Sequence, residues 1–380
     1  MVSFLDSITN VFAGSSHESV VGIDIGAASV KMVQCRASRG SAILETYGEI
    51  ALGPYARQPI GKAVRLPPND MTEALRTLMK EANVTAKHAN ISIPFASSLI
   101  SVIDFPVVDS ATLKTMLPIE ARKYIPVPIS EVTLDWMVVP EDEQDGSAFD
   151  RITKVATQKN VKKQRIVLVA VQNSTLSDYR TITTAAGLDS DFYEIEIFSA
   201  VRSSNKHSIA PALFADIGAS TTKLYVVERG IVRLAHLVTV GGQQITDTLA
   251  RSLGWEFEKA ERIKRECGLH GSSAFSVDEN EKIKMALLST LGRVFSEVNR
   301  VLLSYGQRYN KNVSRVVLTG GGASLPGIAD QAKASLNAEV EIADPFSRVE
   351  APAFMSGVLH DIGPCFAVAM GLVLHAMKES

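Results

Sequence analysis

Two stretches of the chain share one pattern of apolar and polar positions. Residues 20–34 read VVGIDIGAASVKMVQ, and residues 212–226 read ALFADIGASTTKLYV. Each opens with an apolar run, breaks at Gly-Ala and resumes with alternating apolar residues. That pattern predicts a strand, a tight turn and a second strand. Apolar runs at 90–93, 165–171 and 316–318 predict buried strands, the first two in the first lobe. Alternation from Val132 to Val139 predicts another strand. Helical spacing predicts helices over 70–82 and 281–309, the second long and amphipathic. Gly363 to Met377 is the longest apolar stretch. It is shorter than the roughly 20 residues that span a bilayer, so it predicts a buried helix. Phe4, Leu5, Ile8, Val11 and Phe12 would form one apolar stripe on a helix over residues 1–17. Docking on protein is the plainest use of such a stripe, with a membrane surface as the other.

The repeat carries the candidate chemistry. Asp24 matches Asp216, Gly26 matches Gly218, and Lys31 matches Lys223. Glycine at the turn lets successive backbone N–H groups point inward, a nest suited to phosphate oxygens. An aspartate at the end of the first strand would repel phosphate directly. It can hold a hydrated Mg²⁺ that bridges phosphates, or orient an attacking water. One such hairpin is an ordinary turn; two in equivalent places point to a cleft between related lobes. A third segment, 313–328, reads VSRVVLTGGGASLPGI. Gly320, Gly321 and Gly322 follow its strand, with Ser324 just after, and allow a flat ligand close to the backbone. No G-x-x-x-x-G-K-[ST] occurs, and the G-x-G begun at Gly320 runs into Leu325, so neither a P-loop nor a complete dinucleotide fingerprint is present.

In this order, the three segments resemble the phosphate-1, phosphate-2 and adenosine motifs of the actin/Hsp70/sugar-kinase superfamily. The resemblance implies an α/β, actin-like (RNase H-like) fold of two lobes with duplicated sheet-and-helix cores. It implies ATP with Mg²⁺ as ligands, and Asp24 and Asp216 as the metal-holding residues. Gly26, Ala27, Ser29 and Lys31 would face the phosphates from one side, and Gly218, Ala219, Ser220, Thr221 and Lys223 from the other. Residues 194–200, EIEIFSA, look like the first connecting helix of the superfamily, with Glu196 as the water-positioning residue and Glu194 as its competitor. Asp24, Glu196 and Asp216 are thus the catalytic candidates. Residues 258–268, EKAERIKRECG, look like the helix that holds ribose and adenine, through Glu261 and Lys264. Relatives often place a serine hydroxyl where this chain has Ala27, which argues against rapid hydrolysis.

Within the superfamily, residues 119–136, IEARKYIPVPISEVTLDW, resemble a signature of the PilM family of type IV pilus assembly proteins. Pro126 and Pro128 there end a helix and force an extended segment. The resemblance covers about residues 18–378. It implies subdomain 1A at 18–95 plus 166–210, an inserted subdomain 1C at 96–165, subdomain 2A at 211–240 plus 315–380, and a helical subdomain 2B at 241–314. It implies an ATP-binding scaffold of the pilus assembly platform, at most a slow ATPase. The implied partner is the N-terminal cytoplasmic peptide of a PilN-like membrane protein, held in a groove between 1A and 1C. Pilus motor ATPases and self-association are further expectations. The alternatives are an FtsA-like filament-forming division ATPase and a small-molecule kinase of the same fold. FtsA carries a C-terminal membrane helix after a linker, and the type II secretion L protein has a transmembrane helix; the sequence offers neither. Residues 51–69, ALGPYARQPIGKAVRLPPN, have no assignment, and 140–151 read as an acidic loop.

Composition narrows this further. The 380 residues are 46% hydrophobic with a net charge of −2, enough for a large core and without a basic field for nucleic acid. Cys35, Cys267 and Cys365 are far apart, with no C-x-x-C, so neither a disulfide framework nor a zinc site is expected. With no signal-peptide pattern, the expected place is the cytoplasm; the resemblance to the PilM family implies a position peripheral to the inner membrane through partners.

Overall fold

A computed structural model describes residues 19–38, 41–139, 163–205 and 209–377. The N-terminal stripe and the acidic loop lie outside these. In the first half, β1 (Ser19–Ile25), β2 (Ser29–Ser38) and β3 (Ser41–Ala51) form an antiparallel meander. Then come α1 (Pro68–Glu81), β4 (His88–Ile93), β5 (Ser98–Pro106), α2 (Ser110–Ala121), β6 (Val132–Val138), β7 (Lys163–Gln172), α3 (Asn173–Ala185), β8 (Asp189–Ile195) and α4 (Glu196–Ser204). Strands order as β3-β2-β1-β4-β8 in the first lobe's sheet. β4 runs parallel to β1, and its residues are nearly all buried, as a covered parallel strand requires.

In the second half, β9 (Ala212–Ile217), β10 (Thr222–Glu228) and β11 (Ile231–Val238) repeat the meander. They precede α5 (Gly242–Leu253), α6 (Phe257–Glu266), α7 (Val277–Tyr309), β12 (Arg315–Thr319), α8 (Ile328–Ser335), β13 (Glu339–Ile342), α9 (Ser356–Ile362) and α10 (Ala367–Met377). The order β11-β10-β9-β12-β13 copies the first sheet. The long α7 begins at a Ser276/Glu279 capping box and ends at Asn310 in the left-handed region. Its buried face, from Ile283 through Leu287, Leu291, Val294 and Val298 to Val301, recurs every three or four residues and packs on the second sheet.

Two expectations are corrected. Residues 166–171, placed with subdomain 1A, do not join its sheet. They lie in β7, the middle strand of a separate sheet β5-β7-β6, whose core includes Ile103, Phe105, Leu117 and Leu168. A continuous apolar run fits any central strand, so the pattern alone did not choose the sheet. Likewise α10 does not stay with the second lobe, where 315–380 was placed. It packs on β1, β2 and α4. The contact is close enough to demand glycine on both sides. A β-carbon at Gly22 would stand 2.2 Å from the Ala369 carbonyl, and one at Gly371 1.8 Å from that of Ser199. The chain therefore passes between the lobes twice, from α4 to β9 and from β13 back to α10.

Candidate functional site

The hairpins meet across one crevice. In the first, Gly26 N–H donates to the Ser29 carbonyl at 3.0 Å; in the second, Gly218 N–H donates to Thr221 at 2.9 Å. Antiparallel register sets each aspartate opposite its own lysine, Asp24 by Lys31 and Asp216 by Lys223. The duplication seen in the sequence is thus a duplication of geometry.

A cavity of about 360 Å³ lies between the lobes, within the range of small-ligand sites. The first hairpin lines it through Asp24, Gly26, Ala27, Ser29 and Lys31. The second adds Asp216, Gly218, Ala219, Ser220, Thr221 and Lys223. Glu196, Glu261, Lys264, Gly320, Gly321, Gly322 and Ser324 complete the set singled out from the sequence, so the fold brings all of them to one space. Glu194 is elsewhere: it is buried, bonded by Ser199 and by Arg202 at 2.5 and 2.7 Å, an ion pair tying α4 to the end of β8. Arg202 also donates to the Gly371 carbonyl at 3.0 Å.

Charge in the crevice is balanced locally. Lys223 Nζ sits 2.7 Å from Glu196 Oε2 and 3.1 Å from Asp216 Oδ2. Burial opposes its charge, but the two carboxylates outweigh this and hold its pKa well above the ordinary lysine value. Glu196 Oε1 also accepts the Phe95 N–H at 2.8 Å. Burial raises the Glu196 pKa, and Asp216 and Asp24 add to the rise against the pull of Lys223. Asp24 accepts a 2.7 Å bond from Ser92 Oγ; burial raises its pKa, only partly offset by Lys31 and Ser92. Lys31 donates to Ser29 Oγ at 2.7 Å and lies 3.2 Å from Glu49, its register partner on β3. Deeper in lobe two, Lys264 Nζ is 2.6 Å from Glu261 and 2.9 Å from Thr246 Oγ1. Burial lowers the Lys264 pKa, with Glu261 opposing. Among the described residues no group of three His, Cys, Asp or Glu is close enough to hold a metal ion unaided.

The three-glycine loop follows from its contacts. Gly320 has φ 78° and ψ 174°, a region open essentially to glycine alone. A β-carbon there would stand 2.3 Å from Asp216 Oδ1. Gly320→Ala is expected to cost about 2 kcal/mol and to displace the Asp216 carboxylate. Urea unfolding beside a nucleotide titration checks both.

Sequence reasoning missed several lining residues: Glu49, Gly61, Gly242, Gln243, Arg265 and Cys365. The Gly241-Gly242 pair opening α5 was a usable signal, since Gly242 N–H donates to the Gly218 carbonyl at 2.9 Å. Glu49 needed the β2–β3 register, which no motif encodes.

The sequence profile of a family described as "Type IV pilus assembly protein PilM" matches residues 22–377. Among solved structures, a PilM–PilN type IV pilus biogenesis complex is similar with a TM-score of 0.75 and 22% identity, covering 94% of this chain and 98% of that one. The ethanolamine utilization protein EutJ from Carboxydothermus hydrogenoformans follows at 0.54 and 15%, covering 98% and 94%. Cell division protein FtsA of Rhizobium meliloti (strain 1021) is 30% identical over 181 residues, 42% of this chain and 39% of that protein. FtsA of Bacillus subtilis (strain 168) is 26% identical over 265 residues, 63% and 58%. The chain thus spans 39% to 58% of the length of these curated relatives. The structural likenesses establish the fold, the two-lobe actin-like one expected from the hairpins.

Proposed function

This chain belongs to the PilM family of type IV pilus assembly proteins, and from that premise we propose that it is an ATP-binding scaffold of the pilus inner-membrane platform. The observation that carries the nucleotide reading is the pair of matched hairpins, each with its Asp and Lys, facing one cavity. Their turn amides and the ammonium groups of Lys31 and Lys223 suit a polyphosphate. Gly320 to Gly322 leave room for a flat base, and Glu261 and Lys264 for the ribose and adenine. Asp24 and Asp216 are the residues that would hold Mg²⁺ through its water shell, and the ion would neutralise phosphate charge.

The same contacts favour occupancy over turnover. Glu196 is the natural group to orient a water, yet both its oxygens are engaged, one by Phe95 N–H and one by Lys223. A base so tied is poorly placed to take a proton. Bound nucleotide would instead set the angle between lobes and so bias a partner site.

For the partner, the resemblance to a PilM–PilN complex supports a short N-terminal peptide of a PilN-like membrane protein, lying between the first lobe and the β5-β7-β6 sheet. Recruitment by that protein would place the chain at the cytoplasmic face of the inner membrane. Calorimetric titration with Mg·ATP, and fluorescence anisotropy with the tail peptide of the PilN-like protein, test the two halves. Binding of both is expected, with peptide affinity changed by ATP. ATP-dependent sedimentation without peptide binding would favour an FtsA-like role instead.

A further inference from the structure

The unassigned segment 51–69 forms a strap over the mouth of the crevice. Both of its ends are rooted in the first lobe's core by buried Leu52 and Leu66. It is also tied to the tip of the first hairpin: Leu52 N–H donates to the Ala28 carbonyl and Val64 N–H to that of Ala27, both at 2.9 Å. Its far side grips the second lobe. Ala63 N–H donates to Gln243 Oε1 at 2.8 Å. Lys62 Nζ is 3.0 Å from Asp247 Oδ1 and 4.1 Å above the Phe257 ring. Gln243, near the start of α5, donates its own backbone N–H to the Ala219 carbonyl, at the tip of the second hairpin, at 2.8 Å. A chain of hydrogen bonds therefore links hairpin tip to hairpin tip through the strap and Gln243. Gly61, at φ 93°, forms part of the cavity wall, and a β-carbon there would come within 2.7 Å of Glu261 Oε1.

We propose that residues 53–65 are a gate on the crevice, latched by Lys62 on Asp247, which opens for nucleotide to enter and leave. When shut, it makes the second lobe follow the position of the first hairpin. This rests on the nucleotide reading above. The latch consists of a part-exposed ion pair, a cation–π contact and a single hydrogen bond, all weak beside core packing. The roots, by contrast, are fully packed leucines. Such a segment opens from its middle while its ends stay fixed, on the timescale of enzyme lids. Lys62 and Asp247 stand outside the cavity lining, so the latch can be cut without altering the ligand's contacts.

The test uses the whole chain and two variants, Lys62→Ala and Asp247→Ala. Amide hydrogen exchange at Ala63 and Val64, without nucleotide, reads the latch itself. Release of a fluorescent ATP analogue into excess ATP reads the gate. In both variants, exchange at Ala63 is expected to rise about tenfold. Association and release should rise together, with the affinity changed less than about threefold. Faster exchange with unchanged release would overturn the gate, and so would unchanged exchange. If the wild-type chain bound no nucleotide while exchange still responded to Lys62→Ala, the nucleotide reading would fail and take the gate with it. Nucleotide binding with unaltered release in the variants would fail the gate alone.

Discussion

Replacing Lys223 by methionine is expected to lower stability by about 3 kcal/mol, the scale of breaking one partner out of a buried ion pair. The side chains of Lys223, Glu196 and Asp216 are 14%, 10% and 7% exposed, so solvent does little to compensate a lost ammonium. Two carboxylates would then be left facing each other beside Asp24. The deficit should depend on pH in a definite direction. Glu196 and Asp24 already have pKa values raised by burial, and losing Lys223 raises both further. A carboxyl raised in the native state binds more protons there than in the unfolded chain. Its penalty is therefore full above the raised pKa and disappears as pH falls through it. The variant should lie closer to wild type at pH 5 than at pH 8. In the wild type, the raised Lys223 contributes stability that is fully present below the ordinary lysine pKa, so neutral pH leaves it untouched. Millimolar Mg²⁺ should lift the variant's melting temperature more than the wild type's, since a cation can take the vacated place. Thermal melts at both pH values, with and without Mg²⁺, decide it. An equal deficit at pH 5 and pH 8 would show that packing, not charge, is what Lys223 supplies.

Asp24→Asn should separate stability from ligand binding. Burial disfavours the charged carboxylate, and the bond from Ser92 needs only an acceptor, which the amide oxygen keeps. The empty variant is therefore expected to melt higher, by about 2 °C, the shift that roughly 1 kcal/mol brings in a large chain. The same change removes the charge that would hold hydrated Mg²⁺. Affinity for Mg·ATP is expected to fall more than about tenfold, or roughly 1.4 kcal/mol. Asp216→Asn should weaken Mg·ATP similarly but lose the contact with Lys223. The wild type's stability should also decline as pH rises through the raised Asp24 pKa, and the variant should keep only the part of that decline due to Glu196. Unaltered Mg·ATP affinity in both variants would remove the site assignment.

What the sequence made legible follows from how locally each feature is encoded. A strand, a glycine turn and a second strand form within fifteen residues, so both hairpins could be read, and with them the crevice. The three glycines after β12 were legible for the same reason. Glu196 was preferred to Glu194 through the resemblance alone, since the two differ by a turn from strand into helix that sends one toward Arg202 and the other toward Lys223. The position of α10 was hidden by its composition: a helix apolar all round carries no stripe to say which sheet it covers. Gly22 against Ala369 and Gly371 against Ser199 fix its place, but only once both contacts are seen in space. The strap escaped because its partners in the second lobe lie about 180 residues away and its bonds are made largely by backbone.

The two passages of the chain between the lobes restrict how the molecule can move. A body joined by a single strand of polypeptide can twist and slide in any direction, whereas two joints define an axis. Rotation about that line is cheap, and translation along the crevice or separation of the halves is not. Whatever fills the crevice is therefore reported outward first as an angle between the two halves.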